Sequence, residues 1–427
     1  MRVRQLGATS LLFRAHTSSR YSVAALIGTL EIDGRLLDLN IDAPTRFLLK
    51  SIEKKIERGP IILAYSVMST QAKDVYEEIK RIRQHFTKDL TIIGGGAHAS
   101  ARPRDLLANG FDFVVVGEGE KTFPDLVYAL MNDKDPLQLP GVVGKSTIQI
   151  PTPVELPMVE LSCYPPFALR KNIVGPVEVT RGCPFRCKFC STPFLTGGKV
   201  RHRTIDSIVS WVEKAVNERG FKRTWFLSPN ALSYGGRGRK TEPEMLERLL
   251  RSVTAIDGLD EVYFGSFPSE VRPEFVTRPI LKMLRDYVAN ETLQIGIQSS
   301  SNRILARSNR KHTVEQGMEA VRISLDTGFL PHVDMIFGLP GETSDELHKS
   351  IELCYDLVEM GAKAHGHVFM PLPGSEYENA PPGKLDSESR RLLGELARHK
   401  DLTGSWSTQE RLAEQLWSEN RETGGSE

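Results

Sequence analysis

The chain lacks the features that would place a protein in a membrane or on a secretory route. No segment reaches the roughly 18 consecutive apolar residues of a membrane-spanning helix. The first residues are basic, but the following segment contains Arg14, His16 and Arg20 and has no uninterrupted apolar core of the kind that a signal peptide needs. We therefore expect a cytoplasmic protein without a membrane partner.

An excess of either charge is also absent. The 55 Lys and Arg residues nearly balance the 54 Asp and Glu residues, which leaves a net charge of +1. This balance gives no global electrostatic reason for nucleic acid or an anionic surface to be a partner. Cysteine is scarce as well: there are 5, an odd number, and three of them are clustered. This argues against a disulfide framework and for a reducing compartment.

The length of 427 residues is enough for two or three domains, and residues 1–150 have the pattern of the first. Strands and helices alternate in this part of the chain. Residues 61–65 are an apolar run without polar alternation, as in a strand that is buried on both faces. In the helix predicted at residues 72–86, apolar side chains recur every three or four positions and give one buried face. The pattern predicts a doubly wound, Rossmann-like α/β domain.

Two strands of this domain, predicted at residues 90–93 and 113–116, run directly into glycines. Ligands of doubly wound sheets bind beyond the carboxyl ends of the strands, where glycine lets backbone amides approach closely, so we predict a nucleotide-like or cofactor-binding edge. Alternatively, the glycines only permit tight turns, and an acidic residue caps the helix predicted at residues 123–131. The spacing does not match the GxGxxG dinucleotide fingerprint. The residues of this edge are Gly94, Gly95, Gly96, Gly117, Glu118, Gly119 and Glu120.

Proline is frequent in residues 151–176, which we interpret as an extended linker between domains. Proline lacks an amide donor and restricts the residue before it, so a regular element is not expected there. Cys163 lies in this linker. Its thiol is either incidental or functional near a site, and both interpretations stay open.

Six strand–helix units are predicted in residues 177–375. Right-handed crossovers of this kind build a parallel sheet, and six units rather than eight predict an open, partial (β/α)6 barrel of the TIM type. Residues 376–427 are predicted to form a small helical C-terminal extension. Barrel enzymes assemble their sites at the ends of the strands, and polar residues collect there in this sequence. They include Ser228, Asn230, Ser266, Gln298, Ser299 and Ser300.

Cys183, Cys187 and Cys190 follow the first of these strands with CxxxCxxC spacing. Thiolates are soft ligands that suit iron–sulfur clusters or zinc. A cluster of four irons needs four ligands, so three cysteines would leave one iron open to a small molecule. Structural zinc usually uses two separated ligand pairs, and no second pair is present; zinc with one distant ligand, or a chance cluster, is the alternative. Cys354 lies in an apolar helical pattern and is predicted to be part of the core.

The segment around these cysteines resembles the signature of the radical S-adenosylmethionine (SAM) enzymes. Residues 180–190, TRGCPFRCKFC, carry the resemblance, which includes the aromatic Phe189 before the third cysteine. Other matching segments are FGSFPSEVR at 264–272, IGIQSSS at 295–301, NR at 309–310 and DMIFGLPGET at 334–343. In the first domain, IIGGGAHAS at 92–100 and VGEGE at 116–120 resemble the cobalamin-binding domain that often precedes a radical SAM barrel. The resemblance covers most of the chain.

The resemblance implies a 4Fe–4S cluster on the three cysteines, with the open iron chelating the amino and carboxylate groups of SAM. The reduced cluster then cleaves SAM to a 5′-deoxyadenosyl radical, so a reduced ferredoxin- or flavodoxin-type electron donor is expected as a partner. The cofactor supplies this chemistry, and the protein positions it and excludes water. No catalytic residue is assigned beyond the cluster ligands. The residues implied for SAM are Phe189, near adenine, and Ser228, Asn230, Ser266, Glu270, Gln298, Ser300 and Arg310.

The resemblance also implies cobalamin in the first domain. Many cobalamin proteins place a histidine below the cobalt from an Asp-x-His-x-x-Gly motif after the first strand, and this sequence has no such motif. Residues 64–70, AYSVMST, occupy the loop where it is expected, so we predict no histidine ligand from that motif. His98 is a possible contact, or else a surface histidine. The residues implied for cobalamin are Tyr65, Ser66, Gly94, Gly95, Gly96, His98, Gly117, Glu118 and Gly119.

These resemblances favour a cobalamin-dependent radical SAM methyltransferase that acts on an unactivated carbon or phosphorus of a small-molecule or peptide substrate. One alternative is a radical SAM cyclase or rearrangement enzyme. Another is a methylthiotransferase acting on RNA or protein, which would hold a second cluster on N-terminal cysteines; this chain has none before Cys163. A non-enzymatic cobalamin or metal sensor would not need an open cluster. His365, His367 and Tyr377 are candidates for the substrate pocket or for a solvent-exposed rim.

Overall fold

The computed structural model describes residues 9–46 and 48–424, and these form two compact units. The first unit comprises the chain up to Gly175 together with residues 194–196. The second comprises residues 176–193 and the chain from Gly197 onward. The finer subdivision into domains at residues 150, 176 and 375 stays a prediction. Among the described residues, no helix is long and apolar enough to cross a membrane.

The first unit contains six strands and six α-helices in its described residues. The strands are β1 (Ser10–Arg14), β2 (Asn40–Asp42), β3 (Ile61–Ser66), β4 (Leu90–Gly95), β5 (Phe113–Val115) and β6 (Val142–Gly144). The helices are α1 (Arg20–Ile32), α2 (Leu48–Ile56), α3 (Ala72–His85), α4 (Ala97–Ala101), α5 (Pro103–Ala108) and α6 (Gly119–Met131).

The strands of the first unit form one sheet in the order β2-β1-β3-β4-β5-β6, in which β6 alone is antiparallel to its neighbour. Successive side chains of a strand point to opposite faces, and both faces of β3 are covered. Leu63 and Tyr65 pack into one apolar cluster, and Ile62 and Ala64 pack into another on the other side. Burial on both faces explains the unbroken apolar run, and the predicted doubly wound architecture is confirmed.

Two short strands, β2 and β6, and three helices, α2, α4 and α5, have no counterpart in the sequence prediction for this unit. In β2, at the edge of the sheet, only Ile41 is buried, and one buried apolar residue is too short a pattern to predict a strand. Helix α6 begins at Gly119, four residues before its predicted start, because its first turn consists of polar residues that lack apolar periodicity.

The second unit contains nine strands and eight α-helices in its described residues, and a further helix, α7, begins in the second unit and ends in residues 194–196 of the first. The strands are β7 (Val177–Glu178), β8 (Thr180–Arg181), β9 (Arg201–His202), β10 (Arg223–Leu227), β11 (Glu261–Tyr263), β12 (Thr292–Gln298), β13 (Leu330–Phe337), β14 (Lys363–Val368) and β15 (Leu402–Thr403). The helices are α7 (Thr192–Thr196), α8 (Ile205–Arg219), α9 (Pro243–Thr254), α10 (Arg278–Arg285), α11 (Asn302–Arg307), α12 (Val314–Asp326), α13 (Ser344–Glu359), α14 (Ser387–Arg398) and α15 (Trp406–Gly424).

The long strands of the second unit form two parallel sheets, β11-β10-β7 and β12-β13-β14-β15, and β8 pairs antiparallel with β9. Beyond β11 the chain continues alongside β12 through a single parallel bridge between Val271 and Ile295. The amide of Gln294 donates to the carbonyl of Gly265 at 3.0 Å on the same side. This arrangement is the predicted partial barrel, with β15 as an additional parallel strand and two helices after β14.

The side chains of β12, β13 and β14 divide into an apolar and a polar face. Ile297 packs against α12, where a Cβ added to Gly317 would lie 2.8 Å from it, and Val333 and Met335 are buried. The alternating positions, which point away from the helices, are polar. They are Gln294, Gln298, His332, Asp334, His365 and His367. We call these positions the inner face of the barrel.

Candidate functional site

The three cysteines lie in a loop between β8 and α7, and backbone hydrogen bonds fix its course. The amide of Cys183 donates to the carbonyl of Gly197 at 3.1 Å, and that of Cys190 donates to the carbonyl of Cys187 at 3.0 Å. Gly182 has φ +90°, and a Cβ at this position would collide with the backbone oxygen of Lys199. The loop therefore enters through a turn that only glycine fits.

Asn309 fastens the same loop from the far end of α11. Its side-chain Nδ2 donates to the carbonyl of Phe185 at 2.9 Å and to that of Arg186 at 2.8 Å. The amide of Lys188 donates to the carbonyl of Ser308 at 3.0 Å. These contacts between protein groups hold the cysteine loop in place.

The chemistry of the thiols fits an iron–sulfur cluster better than one zinc ion. All three cysteines are free. A tetrahedral zinc ion at about 2.3 Å from each sulfur needs sulfurs about 3.8 Å apart. Among the described residues, only Asp334, His365 and His367 place three ligand atoms within 4.8 Å of one another, so the three sulfurs are spread more widely. Sulfurs that are too far apart to share one zinc ion can each bind a different metal ion of a cluster.

Burial favours the protonated thiol at Cys183 and at Cys190. It raises the pKa of Cys183 above its ordinary value and raises the pKa of Cys190 to about 11. Thiolate is the form that binds metal, so loading of the site must release protons and is favoured by neighbouring positive charge.

Two buried guanidinium groups supply positive charge at Cys187. Nη1 of Arg272 and Nη1 of Arg310 each lie 3.7 Å from its Sγ. Arg272 stacks over the Phe185 ring at 3.6 Å and forms an ion pair with Glu274 at 2.7 Å. Buried guanidinium groups of this kind stabilise negative charge on a sulfur ligand.

Arg310 is held in place over a glycine. Its Nη2 donates to the carbonyl of Gly296 at 2.6 Å. A Cβ at Gly296 would lie 2.5 Å from this Nη2 and 2.5 Å from Nε2 of Gln298, so any larger residue would displace both groups. Gln298 itself has φ +82°, a left-handed conformation that a residue with a side chain rarely adopts. Such strain is concentrated at functional sites.

Unpaired donors at this position suit SAM as a ligand. Nε of Arg310 and Nδ2 of Asn230 are buried without a hydrogen-bond partner in the protein. Oδ1 of Asn230 accepts from the amide of Arg272 at 3.2 Å, which leaves Nδ2 as the free donor. Buried donors without partners cost free energy, and a carboxylate or hydroxyl of SAM would satisfy them.

Some of the other residues predicted for SAM interact with the groups around Cys187, and others do not. Burial of the Glu270 carboxyl by surrounding protein atoms and the charge of Asp334 raise its pKa, whereas the charges of Arg310, His367 and Arg272 oppose this rise. Ser228 Oγ accepts from the amide of Asn230 at 3.3 Å. Electrostatics therefore connect Glu270 with the residues around Cys187.

Ser300 and Phe189 occupy other surroundings. The hydroxyl of Ser300 lies 3.1 Å from that of Ser350 on α13, so it is directed to the helix layer rather than to Arg310. Phe189 packs against an apolar cluster that includes Phe369 and Tyr377. Their contacts with SAM stay predictions, as do those of Ser266, which is buried.

At the glycine edge of the first unit, backbone and small side chains dominate. A Cβ at Gly96, where φ is +95°, would lie 2.9 Å from Oγ of Ser66 and 3.0 Å from the backbone of Val67. A Cβ at Gly94 would collide with Leu106, whereas Gly95 has no neighbour closer than 3.9 Å. Gly94 and Gly96 are thus required by packing, whereas a Cβ at Gly95 would make only ordinary van der Waals contacts with Val115 and Tyr65.

The polar side chains predicted for cobalamin are already hydrogen-bonded within the protein. The hydroxyl of Tyr65 donates to Glu78 at 2.9 Å, so this ring belongs to the core. His98 is 3 % exposed, with its Nε2 2.8 Å from the hydroxyl of Tyr76 and its Nδ1 3.1 Å from that of Ser69. Burial lowers the pKa of His98 to about 4, so the ring is neutral. It is not the surface histidine that the sequence left open.

The second glycine turn of this edge is tied to the linker. The amide of Gly117 donates to Ser100 Oγ at 3.0 Å, and Glu118 accepts from the amide of Val159 at 2.7 Å. Gly119 begins α6. Cys163 is exposed and borders a cavity of about 260 Å³ that Glu118 also lines. Cys354, in contrast, is fully buried, as predicted.

The loop after the first strand was misplaced in the sequence interpretation. Residues 64–70 follow β3, whereas β1 ends at Arg14 and is followed by His16. Nε2 of His16 is buried without a partner, and burial, together with the charge of Arg14, lowers its pKa. A histidine directly after a buried strand is the signal that could have drawn attention to it. The expectation that no Asp-x-His-x-x-Gly histidine ligates cobalt stays a prediction.

Two family models match the chain. A model of the radical SAM superfamily matches residues 177–354, and a model of the B12 binding domain matches residues 5–127. The chain is a radical SAM enzyme with a B12-binding domain. The radical SAM domain requires a 4Fe–4S cluster and SAM, and the B12-binding domain adds cobalamin, as the sequence predicted.

Solved structures of other radical SAM enzymes share the fold. The radical SAM methyltransferase TsrM from Kitasatospora setae, with cobalamin and a 4Fe–4S cluster bound, has a TM-score of 0.65 at 17% identity, over 88% of this chain and 75% of that one. The cobalamin-dependent SAM radical enzyme OxsB, with aqua-cobalamin bound, has a TM-score of 0.63 at 16% identity, over 82% and 52% of the two chains.

Curated relatives of this radical SAM chain are more similar in sequence. An uncharacterized protein of Methanopyrus kandleri is 26% identical, over 79% of this chain and 72% of the relative. The tRNA-2-methylthio-N(6)-dimethylallyladenosine synthase of Ehrlichia ruminantium is 25% identical, over 85% and 79%. The probable threonylcarbamoyladenosine tRNA methylthiotransferase of Archaeoglobus fulgidus is 34% identical, over 43% of each chain.

Proposed function

We propose that this radical SAM enzyme is a cobalamin-dependent methyltransferase that acts on an unactivated carbon or phosphorus of its substrate. The observation that carries the proposal is the presence, in one chain, of a three-cysteine loop and a doubly wound sheet that ends in glycines. When bound, the cluster and SAM supply a 5′-deoxyadenosyl radical, and cobalamin supplies a carrier for the methyl group.

The residues of the chain have defined tasks in this proposal. Cys183, Cys187 and Cys190 hold the cluster, and the guanidinium groups of Arg272 and Arg310 stabilise negative charge beside Cys187. Nε of Arg310 and Nδ2 of Asn230 donate to the polar groups of SAM. Because Gly95 has no side chain, a large planar ligand can approach the backbone of the first unit there. A reduced electron-donor protein is the partner that this chemistry requires.

A radical SAM reaction without methyl transfer, such as a cyclisation or rearrangement, is the second candidate. The curated relatives named as tRNA-modifying enzymes favour tRNA as a third substrate class to be tested. The chain has no cysteine before Cys163 that could hold a second cluster in the first unit, which disfavours methylthio transfer.

The test is anaerobic reconstitution with iron and sulfide, reduction with dithionite, and incubation with SAM with and without cobalamin, followed by quantification of S-adenosylhomocysteine. Methyl transfer consumes SAM to S-adenosylhomocysteine, so we expect this product only when cobalamin is present. Formation of 5′-deoxyadenosine with no cobalamin-dependent S-adenosylhomocysteine would contradict the methyltransferase proposal and leave the cyclase or rearrangement reaction. With a candidate substrate, a gain of one methylene unit in the product mass supports methylation.

A further inference from the structure

The inner face of the barrel carries a second group of ligand-type side chains, apart from the cysteine loop. Asp334 on β13 and His365 on β14 are register partners, and His367 lies two positions further along β14. Residues at positions i and i+2 of a strand point to the same face, and register partners of parallel strands do so as well. One carboxylate oxygen and one nitrogen from each ring lie within 4.8 Å of one another.

Asp334 has an oxygen that no protein group satisfies. Its Oδ1 accepts from Nε2 of Gln294 at 2.6 Å and lies 3.7 Å from Nε2 of His367. Its Oδ2 has no hydrogen-bond partner in the protein, and water has little access to it because the side chain is only 6% exposed. A buried carboxylate oxygen without a partner is costly, and a cation in the group would remove that cost.

His365 is arranged as a metal ligand would be. Its Nδ1 lies 2.7 Å from Oγ1 of Thr403 on β15, and this hydroxyl lies 3.4 Å from the carbonyl of Ala364, to which it donates. The hydroxyl therefore accepts the Nδ1 proton, and Nε2 of His365 keeps its lone pair. A hydrogen bond from the second ring nitrogen is the usual support of a metal-bound histidine. Burial, together with the charge of His367, lowers the pKa of His365, so the ring is neutral.

We propose that Asp334, His365 and His367 bind one divalent first-row transition-metal ion of the zinc type on the inner face of the barrel. Two imidazoles and one carboxylate form a donor set that such ions favour, and this set leaves coordination positions open to an oxygen or nitrogen of a ligand. The ion acts there as a Lewis acid or as an anchor for a substrate group. None of its three ligands belongs to the cysteine loop or to the residues predicted for SAM.

Gln409 on α15 sets the affinity of this site. Its Oε1 accepts from the amide of Val368 at 3.0 Å, so its Nε2, 3.1 Å from Nδ1 of His367, is the donor to the ring. The proton of His367 then sits on Nε2. When Nε2 of His367 binds a metal ion, this proton has to move to Nδ1, which then needs a hydrogen-bond acceptor. The amide nitrogen of Gln409 cannot accept. A glutamate at position 409 could accept with one carboxylate oxygen while the other still accepts from the amide of Val368.

The experiment uses the whole chain with Cys183, Cys187, Cys190 and the exposed Cys163 replaced by Ala, so that neither a cluster nor metal bound to an exposed thiol contributes. Co²⁺ is titrated anaerobically and followed by its visible absorption and by calorimetry. We expect one Co²⁺ per chain. His365→Ala and Asp334→Asn in this background each weaken binding by at least about tenfold. His332→Ala, on the same face two positions before Asp334, leaves the affinity unchanged.

Gln409→Glu is the second test, and we expect about tenfold tighter Co²⁺ binding. Far-UV circular dichroism of each metal-free variant checks its fold. Absence of Co²⁺ binding, or binding that His365→Ala and Asp334→Asn do not alter, overturns the proposal. If His365→Ala does not fold, Gln409→Glu decides, and an affinity equal to or below that of the parent contradicts the site. A failure here says nothing against methyl transfer, because the variant holds no cluster.

Discussion

The cysteine loop and the glycine edge of the first unit differ in the kinds of group that they offer to a cofactor. Around Cys187 the site consists of buried charged side chains, among them Arg272 and Arg310, and of donors that lack a partner in the protein. At the glycine edge, His98 and Tyr65 are already hydrogen-bonded inside the unit. A cluster and a small charged cofactor are held by side chains with unsatisfied donors. A large macrocycle needs shape and accessible backbone, which small residues provide.

The largest expected effect concerns the cluster ligands. Cys187→Ala removes the thiol that both guanidinium groups approach, and two thiolates cannot hold a four-iron cluster stably. We expect loss of the cluster absorption and of bound iron after anaerobic reconstitution. Cys163→Ala is the matched control, because this thiol is exposed and lies outside the loop. Iron content that is equal in the two variants would refute the assignment of the loop.

Arg310→Met tests the unsatisfied donors. The change keeps much of the side-chain volume and removes a charged hydrogen-bond donor. Loss of such a donor lowers the affinity for its ligand on the order of 10- to 100-fold. We expect SAM binding to the cluster-loaded protein to weaken by this factor in equilibrium dialysis, with iron content measured separately. Arg307→Met is the control, because Arg307 is exposed and bonds the carbonyl of Pro340. If both variants bind SAM equally well, Arg310 does not hold SAM.

A pair of glycine variants tests the glycine edge. Gly96→Ala forces a side chain into a left-handed conformation against Ser66 and Val67, and we expect a loss of about 1–3 kcal/mol in the free energy of unfolding. Gly95→Ala should change stability by no more than about 0.5 kcal/mol, since no protein atom is closer than 3.9 Å. In our proposal cobalamin approaches this backbone, and the added Cβ would obstruct it, so cobalamin affinity should fall at least tenfold. Urea unfolding and a cobalamin titration measure the two effects.

The outcomes separate packing from ligand binding at this edge. Unchanged cobalamin affinity in Gly95→Ala would show that the cofactor does not approach this backbone. Gly96→Ala with the stability of the parent protein would contradict the close contacts described for Gly96.

The smallest effect is a pH dependence from Glu342, which follows β13. Burial raises the pKa of its carboxyl to about 7, although the amides of Gly338 and Leu339 donate to it. Between its ordinary pKa of 4.5 and about 7, the folded state binds a proton that the unfolded state has lost. Its contribution is therefore fully present below pH 4.5 and is lost as pH rises through about 7.

Glu342→Gln removes this titration. From pH 5 to pH 8 we expect the wild-type chain to lose up to about 3 kcal/mol of unfolding free energy relative to Glu342→Gln. Parallel stability curves of the two proteins over this range would contradict a raised pKa. Chemical denaturation at each pH is the measurement.

The cysteine loop and the glycine edge could be predicted because their signals are local. The spacing of Cys183 and Cys187, and the glycines after β4, are visible within a few residues of sequence. Arg272 lies 85 residues from Cys187, and only the folding of the barrel brings its guanidinium group to the sulfur. The alternation of apolar and polar residues along β12 does not reveal that the side chains of Arg310 and Gln298 leave no space for a Cβ at Gly296.

Residue type alone does not give the direction of a side chain. Ser300 and Tyr65 are predicted to contact cofactors from the family resemblance, and within the protein the hydroxyl of Ser300 lies beside that of Ser350 and the hydroxyl of Tyr65 donates to Glu78. The direction of a side chain depends on which face of the strand the helices cover. In the group of Asp334, His365 and His367, register between strands brings the ligands together. Sequence spacing can show only the pair His365 and His367.

The most direct test of the central claim is the formation of 5′-deoxyadenosine by the reconstituted, chemically reduced protein. The cysteine loop is claimed to hold a cluster that cleaves SAM, so the wild-type chain should produce 5′-deoxyadenosine, and Cys187→Ala should produce none. A wild-type chain that loads a full complement of iron and sulfide, binds SAM and yet yields no 5′-deoxyadenosine would contradict the account.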